Sequence, residues 1–178
     1  WDGSGASTLR DCVTSVLAYY AEIYPVEAGI EYGELVAIGA SYTTGIQGTN
    51  VPILTKSKSA YQYNVLGITS NNYGDFSSTG YEFNDSQNQI PVALTGRVPL
   101  KVTTANGKIK AGDVITSSDT PGVGMKATRA GRVVGVALES FAADGIGKIL
   151  VFVNPTWYDP DMYLTNGEGF SIRDSSPE

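Results

Sequence analysis

Residues 131–138 read Gly131-Arg132-Val133-Val134-Gly135-Val136-Ala137-Leu138, an apolar, β-branched run of strand length with one glycine at its centre. Such a run suits a strand, and a glycine inside it lowers strand stability unless a bulge or a close backbone approach requires it. The same pattern stands upstream, where Val65-Leu66-Gly67-Ile68 lines up with Val133-Val134-Gly135-Val136. Working outward, Gly33-Glu34-Leu35-Val36 lines up with Gly112-Asp113-Val114-Ile115, and between the anchors Ile53-Leu54-Thr55-Lys56 lies against Gly124-Met125-Lys126-Ala127. Each copy thus runs through a turn, a Gly-acid pair entering a strand, a Lys-bearing strand, then an apolar strand broken by glycine. The expected fold is mainly β: two related small antiparallel β-modules, barrel- or sandwich-like, packed as one unit. Gly33, Gly67, Gly112 and Gly135 are its repeat glycines.

Outside the anchors, short β-favouring runs such as Val51–Leu54, Val92–Leu94, Val98–Val102 and Ile149–Val153 are separated by Gly, Asn, Asp and Ser, the punctuation of strands and turns. Asn106-Gly107 reads as a type I′ hairpin turn after Lys101-Val102-Thr103. One helix is expected. Leu9, Val13, Val16, Leu17, Tyr20 and Ile23 recur at three- and four-residue spacing behind Ser7 or Thr8, and Pro25 would end the element. The polar, glycine-rich stretch 70–90 has no period and reads as a long exposed loop suited to interaction. The resulting organisation is a linker (1–8), a short helix (9–25), a first β-module (26–90), a second (91–156) and a C-terminal extension (157–178).

Composition narrows the chemistry. The 178 residues include no His, one Cys, 21 Gly and 11 Tyr, with 12 basic against 18 acidic residues for a net charge of −6. Without histidine the Ser-His-Asp and Cys-His relays and imidazole-ligated metals are excluded within the chain. The acidic balance opposes a phosphate backbone, so no nucleic-acid partner is expected. No run approaches the roughly 20 apolar residues of a membrane-spanning helix. Cys12 cannot form an internal disulfide and reads as a small buried thiol. The start at Trp1 and the polar Ser175-Ser176-Pro177-Glu178 end read as a processed product, an excised domain or the ordered part of something longer.

Val92-Ala93-Leu94-Thr95-Gly96-Arg97-Val98-Pro99, Ile109-Lys110-Ala111-Gly112-Asp113, Gly131 to Glu139 and Gly147 to Asn154 carry a resemblance. Together with Ala21-Glu22-Ile23-Tyr24-Pro25 and Leu66-Gly67-Ile68-Thr69-Ser70, they resemble the C-terminal β-module of long bacterial surface proteins and phage tail-fibre or appendage proteins. Some relatives of that kind are autoproteolytic chaperone domains, although no cleavage motif maps onto this chain residue by residue. Tyr163 to Ile172 is similar to the first turn of a fibrous repeat. The resemblance implies an extracellular, cell-surface or virion-surface location and a role in a fibre.

Candidate chemistry is sparse. Glu22, Glu27, Glu31 and Glu34 cluster in sequence, as the two carboxylates of a glycosidase would, but a solvated acidic face is the simpler reading. Glu34 and Asp113, each after a glycine, suit carboxylates that accept backbone N–H bonds within a turn. Ser117-Ser118-Asp119, Ser4 or Ser7 would need Lys56 or Lys126 as a base, and repeated lysines more simply snorkel at a module edge. Asp159-Pro160-Asp161 and Asn84-Asp85-Ser86 offer oxygen ligands without a complete cation loop, so no metal or cofactor is expected. Tyr61, Tyr63, Tyr73, Trp157 and Tyr158 are candidate interface or glycan-contact residues, since these rings join apolar area to a polar tip. The leading expectation is a non-enzymatic structural and interaction module of an extracellular fibre that self-associates into an oligomer or polymer. A self-cleaving or chaperone domain and a carbohydrate-binding surface domain are the alternatives.

Overall fold

The computed structural model of the protein describes residues 20–45, 48, 50–71, 88–165 and 169–172. They form β1 (Tyr20–Pro25), β2 (Leu35–Thr44), β3 (Asn50–Lys56), β4 (Val65–Thr69), β5 (Gln89–Thr103), β6 (Val114–Ser117), β7 (Gly124–Lys126), β8 (Gly131–Ala137) and β9 (Ile146–Tyr158). A separate antiparallel pair, β10 (Met162–Thr165) with β11 (Gly169–Ile172), follows. The fold is mainly β and mainly antiparallel.

The pairings close two circuits. In the first, β1 and β4 both pair antiparallel with the N-terminal half of β5, β4 pairs with β2, and β2 with β3. A parallel bridge from Val26 to Leu54 joins β3 back to the end of β1. In the second, β9 pairs with the C-terminal half of β5, β8 with β9, β6 with β8, and β7 with β6. A parallel pairing of Val102 with Gly124 completes it. β5 serves both circuits, and Gly96 (φ +106°) sits where its partner changes from β1 to β9. A side chain is strained at that φ, so the position favours glycine.

Alternation drives burial along the shared strand. Ile90, Val92, Val98, Leu100 and Val102 point inward while Thr95, Arg97 and Pro99 face out. One cluster runs from Ala21, Leu35, Ile68 and Ala93 through Val98 and Leu100 to Ile115, Val134, Val151 and Val153, crossing from one circuit to the other. A second, of Val26, Val36, Leu54, Ile90 and Val92, fills the first circuit. At about 1.5–3 kcal/mol per fully buried Val or Leu, these interiors supply the main stabilising term.

Three expectations are corrected. Residues Tyr20–Pro25 are strand, not the end of a helix, because β5 supplies their partners from Thr95 to Gln89; residues 9–19 lie outside the described set. Pro25, which has no N–H, ends the strand as it would have ended a helix. Asn106-Gly107 is not a type I′ hairpin: Gly107 (φ +94°) donates to Thr104, Asn106 has no positive φ, and the following Ile109 pairs with Phe141 instead. Gln89 and Ile90, placed in the long loop, begin β5; residues 72–87 of that loop lie outside the described set.

Candidate functional site

The most built-up polar cluster lies where the two circuits meet. The turn before β2 places Gly33 (φ +83°) so that Glu34 enters the strand with its carboxylate turned inward, its side chain 5% exposed. Backbone bonds fix the frame: the Glu34 N–H donates to Thr69 Oγ1 at 3.0 Å, and Thr69 N–H donates to Glu34 O at 2.9 Å. The second circuit closes over this turn. Lys101 N–H donates to Gly33 O, Leu35 N–H to Gly122 O, and Gly122 N–H to Ser57 O. Gly122 faces the Glu34 side chain so closely that a Cβ there would lie 3.1 Å from Glu34 Cβ.

The carboxylate of Glu34 accepts three donors. Lys56 Nζ lies 2.9 Å from Oε2, Lys101 Nζ 2.8 Å from Oε1, and the Glu31 N–H 2.9 Å from Oε2. Lys101 also reaches the exposed Glu31 at 2.6 Å. Burial pushes the Glu34 carboxyl up, but the Glu31 N–H and the Lys101 and Lys56 ammoniums pull it further down, below the usual carboxylate range. The Lys101 ammonium holds Glu31 down as well. Burial lowers Lys101 and the two carboxylates raise it by more. A glycosidase pair needs one carboxyl held up as a proton donor. Glu31 and Glu34 are both held down, so this pair is built to stay ionised.

The second circuit repeats the local part of this arrangement. Gly112 (φ +93°) precedes Asp113, which accepts the Lys110 N–H at 2.8 Å and pairs with Lys126 Nζ at 2.9 Å. Burial raises Asp113, and the Lys110 N–H and Lys126 lower it by more. Lys56 stands opposite Val36 and Lys126 opposite Ile115, so the two lysines hold matching register positions. The sequence alignment of those strands therefore slides by one residue. Nor do the lysines snorkel; each pairs with the acid after its turn glycine. Gly67 and Gly135 also match: a Cβ on either would collide with a backbone carbonyl, of Ala93 and of Phe152 respectively.

Beside the charged cluster, the segment between β3 and β4 plugs into the second circuit. Tyr61 N–H donates to Ser117 O and Gln62 N–H to Ser117 Oγ, while Ser117 Oγ donates to Ser59 O. The Tyr61 phenol oxygen accepts the Thr128 N–H at 2.7 Å and the Arg129 N–H at 3.2 Å, with Arg129 over its ring at 4.6 Å. Tyr61 has φ +55°, the non-glycine residue with positive φ among the described residues. Burial raises its phenol, but Thr128, the Arg129 N–H and the Arg129 charge lower it by more. A cavity of about 430 Å³ lies alongside, bordered by Tyr61, Asn106, Asp119, Thr128 and Arg129.

The aromatic candidates therefore separate. Tyr61 is spent on the internal seam, Tyr63 and Trp157 stand 82% and 65% exposed, Tyr158 is half-buried, and Tyr73 lies outside the described residues. Tyr42, not singled out in sequence, is 63% exposed near the end of β2. Ser118 Oγ is buried and donates to Val123 O, so it is no poised nucleophile. Asp159 accepts the Asp161 N–H in a local turn. No group of three metal-binding side chains occurs among the described residues. Glu34 leaves the expected solvated acidic face for the interior, and Lys101 carries no signal in the sequence that marks it for this cluster. Ser4, Ser7, Cys12 and Asn84-Asp85-Ser86 lie outside the described residues. No protein-family model matches the chain, and no curated protein matches it.

Proposed function

We propose that the two circuits are two copies of one β-module and that the chain is a non-enzymatic structural and interaction unit of an extracellular fibre or filament, self-associating into an oligomer or polymer. The observation that carries this is the contrast between seam and periphery. Ionic and phenolic groups at the seam are engaged with one another, while Tyr42, Tyr63 and Trp157 present large rings to solvent. Engaged groups lend rigidity; exposed aromatic area lends itself to partners. Tyr42 lies on a two-stranded overhang of β2 and β3 beyond the β4 pairing, and Trp157 lies near the end of β9, past its pairing with β5. Tyr42 pairs with Pro52 on the β2–β3 ribbon, and Trp157 pairs with Arg132 on the β8–β9 ribbon. Such ribbons offer partly open edges for strand addition.

The test is light scattering of the purified chain over a hundredfold concentration range, where mass rising with concentration is expected and a single-chain mass throughout defeats the proposal. Glycan binding is the second reading, favoured by the exposure of Tyr63 and Trp157. Retention on a glycan array, lost in Trp157→Ala, would establish it, and a blank array would remove it.

A further inference from the structure

One cavity in the fold is bordered by two formal charges, Asp119 and Arg129, and neither has an ion-pair partner among the described residues. It lies where the Ser57–Gln62 segment of the first circuit plugs into the second. Its volume of about 430 Å³ falls within the roughly 300–1,000 Å³ of small-molecule sites. Ala60, Ala105 and the buried Met125 give it an apolar lining between the charges. Such a mixture, apolar wall with a few fixed polar groups, is the usual composition of a ligand site.

Register separates the two charges. β6 and β7 form a hairpin in which Ser117 pairs with Gly124 and Ile115 with Lys126. Asp119 stands in the connection that closes this hairpin, and Arg129 stands beyond the other end of β7, so the length of β7 keeps them apart. Each is also held in place. Asp119 Oδ1 accepts the Ala60 N–H at 2.9 Å, and its Oδ2 has no donor among the described residues. Arg129 lies over the Tyr61 ring, 4.6 Å from its centroid, and its guanidinium donates to no acceptor among the described residues. Tyr61 is fixed in turn by its φ of +55°, by the Thr128 N–H at 2.7 Å and by Gly131, where a Cβ would lie 2.7 Å from Tyr61 Cδ1. Left-handed backbone at a non-glycine residue is strained, and such strain concentrates where a fold clamps a ligand or a segment. With Arg129 on its ring and Gly131 against its Cδ1, Tyr61 is a wall of the cavity and no platform for stacking a sugar.

We infer that this cavity binds a small zwitterion, a free amino acid or a dipeptide, with its ammonium on Asp119 and its carboxylate on Arg129. The two fixed charges match the two charges of such a ligand and sum to zero as they do. A guanidinium takes a carboxylate through two parallel N–H bonds, and Asp119 Oδ2 can accept an ammonium without releasing Ala60. Asn106, whose Nδ2 donates to Lys126 O at 3.2 Å, borders the cavity between these ends and offers its Oδ1 to a further N–H. The apolar lining suits the ligand's side chain. The site adds a small-molecule function to the seam and does not depend on self-association of the chain.

Titration calorimetry of the full chain with L-alanine and with L-alanyl-L-alanine tests it, and saturable binding of either is the expected result and tells the two sources apart. Blocking the bound compound's ammonium by N-acetylation, or its carboxylate as the amide, should weaken binding about tenfold or more, because each removes one charge-assisted contact. Asp119→Asn keeps an acceptor for the Ala60 N–H, and Arg129→Gln keeps much of the side-chain stem. Each should weaken the zwitterion by a similar factor, with circular dichroism and melting curves confirming the fold. In Asp119→Asn the N-acetylated form should bind as well as its parent. If neither zwitterion binds at millimolar concentration, if a blocked form binds the wild-type chain as tightly as its parent, if either substitution leaves binding unchanged, or if D-galactose saturates the site instead, the proposal is overturned.

Discussion

Removing the Glu34 carboxylate should cost about two to three times as much as removing its counterpart Asp113, because only Glu34 ties the two circuits together. In Glu34→Ala, Lys56 and Lys101 lose their shared anion and the Glu31 N–H loses its acceptor. Deleting one partner of a buried ion pair costs about 3–5 kcal/mol. The lysine side chains retain 29% and 22% exposure and can reach water, which places the cost at the lower end, about 3 kcal/mol. Asp113→Ala frees one ammonium, Lys126, and one N–H, at a site already 20% exposed; about 1–1.5 kcal/mol is expected. For a chain of this length these losses correspond to melting shifts of about 6–12 °C and about 2–6 °C. Urea unfolding followed by circular dichroism measures both, and unchanged slopes would confirm that stability alone has moved. If Glu34→Ala costs no more than Asp113→Ala, the bridging lysine Lys101 adds nothing and the account of the seam is wrong.

Acid should reveal the same groups. Glu31, Glu34 and Asp113 have folded pKa values below their ordinary 4.5, 4.5 and 3.8, so the stability they contribute is present above those values and is lost as pH falls through the folded ones. Unfolding free energy measured from pH 6 down to about pH 2 should therefore decline below about pH 4.5, and Glu34→Gln should decline less steeply; an identical slope would contradict the assignment. Tyr61→Phe removes the acceptor of the exposed Thr128 and Arg129 N–H groups, which water can replace, and should cost about 0.5–1.5 kcal/mol by urea unfolding. It should also remove one tyrosine that ionises below 10 in an absorbance titration of the folded protein, and a titration unchanged by the substitution would refute the lowered phenol. Gly135→Ala drives a Cβ into the Phe152 carbonyl and should lower stability by about 2–3 kcal/mol; a neutral result in thermal melts would show that β8 and β9 are looser than described.

How much is legible in the sequence depends on the range of the contact. Inward alternation in Val98-Pro99-Leu100-Lys101-Val102 is local, and the residues announce it; the crowding at Gly67 and Gly135 comes from Ala93 and Phe152 on distant strands, yet the lone glycine inside each apolar run marks it. The carboxylate–N–H turns at Glu34 and Asp113 are also local, and the reading of both acids as turn acceptors matches their bonds to Glu31 and Lys110. β1 misleads because Tyr20 and Ile23 fit helical spacing while its strand partners lie some seventy residues away in β5. Lys101 escapes notice for a similar reason: it gains meaning only when β5 continues past Gly96 into the second circuit and returns to the Gly33 turn. The one available signal is a Gly-acid pair in each copy with a lysine in each following strand, which points to Lys56 and Lys126 but not to a third cation.

The places where the two circuits differ are more informative than those where they agree. Register-matched positions carry Lys56 and Lys126, Glu34 and Asp113, Gly67 and Gly135, all concerned with holding one circuit together. The substitutions between circuits have one member at the seam: Lys101 against Pro25, Ser117 against Ile38, Glu31 against Lys110. In each comparison the member at the seam is polar and bonded across it, or charged opposite to its partner. A local ion pair becomes a joint by the addition of one lysine from the neighbouring circuit, without any change to the turn that presents the carboxylate.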